Sequence, residues 1–156
     1  MKAKGLIPKT PLKAGLSFCL VLSIVLQAMA AELKVEAKLI WGTNDEKSPN
    51  PAHTPVDQTT AERLRKVFKW KNYFVVNRQT KAVPSRGSTR FELSKKCTVE
   101  VTELEGPKVE VKLIGDGKEV HRTVKSLAKG EWFAYAGEDK GENAWFVIIH
   151  DLDEKQ

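Results

Sequence analysis

Two cysteines in 156 residues exclude a disulfide-dense scaffold and any zinc site assembled from several thiolates. Long apolar runs are missing too, apart from one near the N-terminus, so the chain is not a multispan helical membrane protein. There is no G-x-G-x-x-G, Walker loop, G-x-S-x-G or H-E-x-x-H. Their absence removes the nucleotide, elbow-serine and helical zinc chemistries that announce themselves by spacing. No repeat of fixed period appears, and no segment is of low complexity. What is present is 41% hydrophobic and 29% charged residues, the balance of a folded domain, in a length that suits one domain.

The first thirty residues hold Lys2, Lys4, Lys9 and Lys13 and no acid, then an apolar run from Leu16 to Leu26, then Ala28-Met29-Ala30. A basic start, a short apolar core and an A-x-A end are the pattern of a secretory signal peptide. A helix of eleven residues rises only about 16 Å, against the roughly 30 Å of a bilayer core, which argues against a retained anchor. Residues 1–30 are therefore expected to be cleaved near Ala30 and Ala31. Residues 31–156 would form one exported domain, periplasmic or extracellular. Cys19 sits inside the apolar run, between Phe18 and Leu20, so it is not expected to be lipidated. The formal charge of +6 then falls: the leader takes four of 26 basic residues, leaving 22 against 20 acids.

Leu33, Val35, Ala37 and Leu39 alternate with Lys34, Glu36 and Lys38, predicting a strand with one buried and one polar face. Residues 42–58, with Pro49, Pro51 and Pro55, predict a surface loop. Thr59 with Glu62 fits a capping box, and Leu64, Val67 and Phe68 form an apolar stripe on a helix of about ten residues. Beyond it the pattern is all strand: 72–76, 90–93, 97–104, 109–113, 119–124, 132–136 and 144–149. Gly115-Asp116-Gly117 carries the Asp-Gly hairpin signal. The fold expected is mainly β, an antiparallel sandwich or barrel-like sheet with a short amphipathic helix packed on it.

The stretches RLRKVFKWKNYFVVNR, LSKKCTVEV and KGEWFAYAGEDKGENAWFVI resemble small exported proteins of Planctomycetes–Verrucomicrobia type, over about residues 63–149. The resemblance implies export and a compact β-rich domain. It brings no catalytic residues with it.

Chemistry is thinly marked. His53 lies in the proline loop, His121 on a strand face with Glu119 and Thr123 that reads as solvent-facing, and His150 beside Asp151 and Asp153. The last cluster is the best local candidate for acid–base or metal work, against the plainer reading of a solvated tail. Cys97 follows Lys95-Lys96, which would favour a thiolate, but it shares the inward phase of Val99 and Val101 and reads as core. Acid pairs such as Glu103/Glu105 and Glu138/Asp139 read as solvated turns. The loops 137–143 and 151–154 offer oxygen ligands without an EF-hand pattern. No catalytic residue, metal ligand set or cofactor is assigned. Of two hairpin tryptophans, Trp145 shares a phase with Val147 and Ile149, whereas Trp132 shares one with small alanines and reads as the more exposed ring, with core packing the first reading for both.

Charge is the most informative feature. Residues 31–96 carry 14 basic and 7 acidic side chains, and residues 97–156 carry 8 basic and 13 acidic. Eleven of the cations fall between Arg63 and Lys96. A basic, aromatic face of Arg63, Arg65, Lys66, Lys69, Trp70, Lys71, Arg78, Arg86 and Arg90 could hold an anionic envelope component or an acidic protein. The competing reading is internal complementarity, the basic helix lying beside acidic hairpins. Export argues against nucleic acid as the partner. A non-enzymatic binding domain is thus the first expectation; a small hydrolase or metal-dependent enzyme, and an assembly subunit pairing through an edge strand, are the alternatives.

Overall fold

The protein is described here by a computed structural model over residues 32–137 and 142–152. The expected leader therefore lies outside the described residues, and no helix among these is long and apolar enough to cross a membrane. In chain order the elements are β1 (Leu33–Thr43), β2 (Thr54–Pro55), α1 (Gln58–Val67), β3 (Asn72–Val83), β4 (Ser88–Ser94) and β5 (Cys97–Glu105). Then come β6 (Lys108–Gly115), β7 (Lys118–Ser126), β8 (Trp132–Gly137) and β9 (Ala144–Asp151). They form two antiparallel sheets, ordered β2-β3-β1-β9-β8 and β4-β5-β6-β7. The sheets stay open, so the architecture is a sandwich and the barrel-like option falls away.

Alternation builds the core between the sheets. Val35, Ala37 and Leu39 of β1 and Val147 and Ile149 of β9 face Phe91, Val99, Val101, Val109 and Val111 of the second sheet. The intervening residues of the same strands supply a second core: Ile40, Phe146 and Ile148 pack with Leu64 of α1, Tyr73 and Val75. The first sheet is thus buried on both faces, and α1 is the third layer. This corrects the reading of β1 as a strand with one solvated face. Glu36, expected to face water, is only 6% exposed.

The helix also differs in detail. Its cap is Asp57, not Thr59: the Asp57 carboxylate accepts from the Thr60 backbone N–H at 2.8 Å and the Thr60 hydroxyl at 2.7 Å. Burial alone would raise the Asp57 pKa, but the bonds from Thr60 and the nearby Lys38 ammonium hold it below its usual value. The predicted loop is accordingly bounded by β1, which reaches Thr43, and by Asp57, and it contains β2. The buried positions of the helix are Ala61 and Leu64, with Phe68 just beyond it on the same core, while Val67 is 74% exposed. The Asp116-Gly117 turn behaves as expected, both residues taking positive φ.

Polar side chains complete the second sheet. Its outer face carries a ladder of alternating charge: Arg90 Nε and Lys112 Nζ each donate to Glu100 at 2.8 Å, Lys112 and Arg122 flank Glu110 at 3.5 Å, and Arg122 pairs with Glu119 at 2.7 Å. At the β4 edge, Asn77 Nδ2, Gln79 Nε2 and Lys81 Nζ of β3 donate to the carbonyls of Leu93, Glu92 and Arg90 at 2.8, 2.7 and 2.6 Å. Side chains from one sheet thereby occupy an edge of the other that would otherwise be open for pairing.

Two stability predictions follow from these contacts. Asp57→Ala should cost about 1 kcal/mol in denaturant unfolding, whereas Thr59→Ala should change stability by only a few tenths of a kcal/mol. The bonds from Lys112 and Arg90 hold the Glu100 carboxyl below its usual value of 4.5, so their stabilisation is complete above that value and fades as pH falls through the lowered one. Glu100→Gln should cost up to about 1 kcal/mol at neutral pH, and a pH series of melting curves should show the deficit closing in acid.

Candidate functional site

The basic segment does not stay together on one surface. Arg63, Arg65 and Lys66 project from α1, and Lys69 and Lys71 from its exit, over the outer face of the first sheet. Arg90 lies on the outer face of the second sheet, on the other side of the sandwich, engaged with Glu100. Arg86 sits in the β3–β4 turn at positive φ, its backbone N–H donating to the Glu103 carboxylate. Arg78 shares the helix side but reaches Glu36 at 3.4 Å.

The helix cations are differently placed. Among the described residues, no acid lies within ion-pair distance of Arg63, Arg65, Lys66, Lys69 or Lys71. Their contacts are with rings and backbone instead. The Arg63 guanidinium stacks over Trp132 at 4.1 Å, and Lys69 stands 5.1 Å from the Trp70 ring centre. Arg65 Nε donates to the Lys71 carbonyl at 2.7 Å, which ties the helix to its exit and leaves four guanidinium N–H groups for other partners. Trp70 Nε1 donates to the Glu142 carbonyl at 2.7 Å, and its ring meets Phe146 edge-on. The helix exit therefore does border the β8–β9 hairpin, although Glu138 and Asp139 lie outside the described residues.

Trp132 is consequently no free platform. Its phase on β8 is as expected, but it packs against the outer core under Arg63. Trp145 packs against the inner core and is half-buried.

Below the helix lies a polar centre that sequence reasoning missed. Glu36 accepts from Lys38 Nζ at 2.7 Å, with Arg78 at 3.4 Å and His150 Nδ1 at 3.8 Å. The available signal was Ile40, an apolar residue in the polar phase of β1, which implies that something covers that face. Strand alternation puts His150 on this outer face and Asp151, 1% exposed, on the inner one, so the candidate His150–Asp151 pair is divided, and both residues belong to β9 and not to a solvated tail. Asp153 and most of the loop 137–143 lie outside the described residues.

The other candidates stand apart. His53 Nδ1 is 2.6 Å from Ser48 Oγ within the β1–β2 loop. His121, read as solvent-facing, is exposed but stacks against Tyr135 at 5.2 Å, on the inner side of β7. Cys97 packs against the inner core, and burial raises its thiol pKa, the reverse of what a thiolate nucleophile needs. Among the described residues no three of His, Cys, Asp and Glu gather as a metal ligand set would.

Compared with protein-family models, curated proteins and solved structures, the chain matches none.

Proposed function

We propose that this protein is an exported, non-enzymatic binding domain that engages an anionic envelope component through the cations of α1 and its exit. One observation supports this above the others: Arg63, Arg65, Lys66, Lys69 and Lys71 lie together on α1 and its exit with no acidic partner among the described residues, whereas Arg78, Arg90, Lys112 and Arg122, four of the strand cations, are paired. Unpaired cations on one helix side concentrate positive potential there, and phosphates or carboxylates of a partner would complete them. Trp132 and Phe146 support the layer from beneath, which limits the ordering cost of binding. The edge-strand alternative rests on β7, which is exposed along nearly its whole length, with Val120 and Val124 uncovered. Lys118, Arg122 and Lys125 along that strand are the charges that blunt edge pairing.

The test is association with vesicles containing phosphatidylglycerol and with an acidic polysaccharide, read against salt. Binding should weaken steeply from about 0.05 to 0.3 M salt, because exposed charges are screened over that range. The triple reversal Lys66→Glu, Lys69→Glu, Lys71→Glu should lower affinity at least tenfold, each lysine at an anionic surface contributing about 1 kcal/mol. Arg90→Gln, on the opposite face, should leave it unchanged. Salt-independent association, or full binding by the triple variant, defeats the reading. Binding to an acidic protein but to neither probe would replace the envelope component with a protein partner.

A further inference from the structure

At one end of the sandwich the two sheets part and leave a cleft of about 580 Å³. Trp41 from the end of β1 and Trp145 from the start of β9 are direct cross-strand neighbours on its wall. Cys97, Leu113 and Ile114 of the second sheet lie across from them. Leu39 and Ile40 of β1 add to the apolar wall, and two register shifts supply the rest of it. In the β1–β3 pairing Leu39 faces Asn77 and Ile40 faces Val75, so Val76 has no partner. In the β6–β7 pairing Leu113 faces His121 and Ile114 faces Glu119, so Val120 has none. Both bulged valines line the cleft. Bulges re-aim side chains, and here one from each sheet delivers an extra apolar residue to the same space.

The polar atoms of the cleft are few. The Trp41 indole N–H is buried and has no acceptor in the protein, an uncommon state for such a donor. Lys96, His53 and Asp116 stand at the rim. The Asp116 backbone N–H is occupied by the Lys96 carbonyl at 3.1 Å, but the two side chains form no ion pair, and Lys96 is exposed. A space of roughly 300–1,000 Å³ with mainly apolar walls and a few polar groups is the usual form of a small-molecule site.

From this we infer that the cleft binds a single-chain amphiphile with a carboxylate head, of the chemical class of a medium-chain fatty acid. The chain would lie between the tryptophans and the bulged valines, and the carboxylate would face the Lys96 ammonium, with the Trp41 indole, whose N–H is shielded in the free protein, turning to donate to it. This site is on a different part of the molecule from the helix cations and does not depend on them.

Decanoate is the probe, followed through the indole N–H signals of the ¹⁵N-labelled protein, which has four tryptophans. The Trp41 signal should move downfield and saturate, with Trp145 moving beside it. Decyltrimethylammonium, with equal chain length and opposite charge, should bind at least threefold more weakly. Val120→Trp should fill the cleft and weaken decanoate at least tenfold; Val120 is 59% exposed, so the larger ring does not need room in a closed core. Lys66→Glu, on the helix, should bind decanoate normally. The inference is overturned if Trp41 fails to shift, if the cationic amphiphile binds equally well, or if folded Val120→Trp binds as the parent does. Loss of decanoate binding on Lys66→Glu would also overturn it, by moving the site to the basic face.

Discussion

Burial of the first sheet on both faces is the constraint from which the rest of the molecule follows. Strands β1 and β9 send Val35, Ala37, Leu39, Val147 and Ile149 to one core and Ile40, Phe146 and Ile148 to another. The second set must be covered, and a ten-residue helix is too short to hold itself together in water. Each therefore depends on the other: Leu64 closes the outer core, and the sheet keeps α1 helical. With Ala61 and Leu64 turned inward, Arg63, Lys66 and Val67 must turn outward. The side of the helix on which these cations stand is thus a consequence of apolar packing.

The same constraint explains what could be read from the amino-acid order. Where a strand has one wet face, alternation is clean, and Cys97-Val99-Val101 and Val109-Val111-Leu113 occupy the inner phase as their spacing implies. Asp116-Gly117 was legible because a tight hairpin needs positive φ at both positions. Glu36 was misread because a glutamate in a polar phase looks the same whether it meets water or Lys38 and Arg78. Val67 was misread because a helical stripe of three apolar residues leaves its centre undetermined by one position, and Ala61 settles it only once the sheet is present. The two bulges have no local mark at all. Val76 and Val120 sit in ordinary strand sequence, and only the pairing across the ladder shows that each lacks a partner.

Net charge was the least reliable guide. The apparent asymmetry, basic in one half and acidic in the other, divides again in three dimensions. The ladder joins Arg90 of the first half to Glu100, Lys112, Glu110, Arg122 and Glu119 of the second, so part of the asymmetry is met within the fold. Arg78 is likewise spent on Glu36. The segment 63–96 contributes to both outer faces because β3 and β4 belong to different sheets, so cations close in sequence are carried to opposite sides.

A sandwich closed along its length has few places to admit a small molecule, since its inner faces interdigitate. Here the side edges are managed: Asn77, Gln79 and Lys81 cap β4, while His121 and Lys125 of β7 rest against Phe133 and Tyr135 of β8. Space is left at the end, where the register shifts at Val76 and Val120 fall. A bulge costs ladder hydrogen bonds, and two of them placed around one opening shape it without disturbing the valine and phenylalanine layers further in. The valine and phenylalanine layers that join the sheets lie in the middle of the sandwich, and the opening lies beyond them. The cations of α1 and its exit likewise contribute no ion pair, among the described residues, to the fold that presents them.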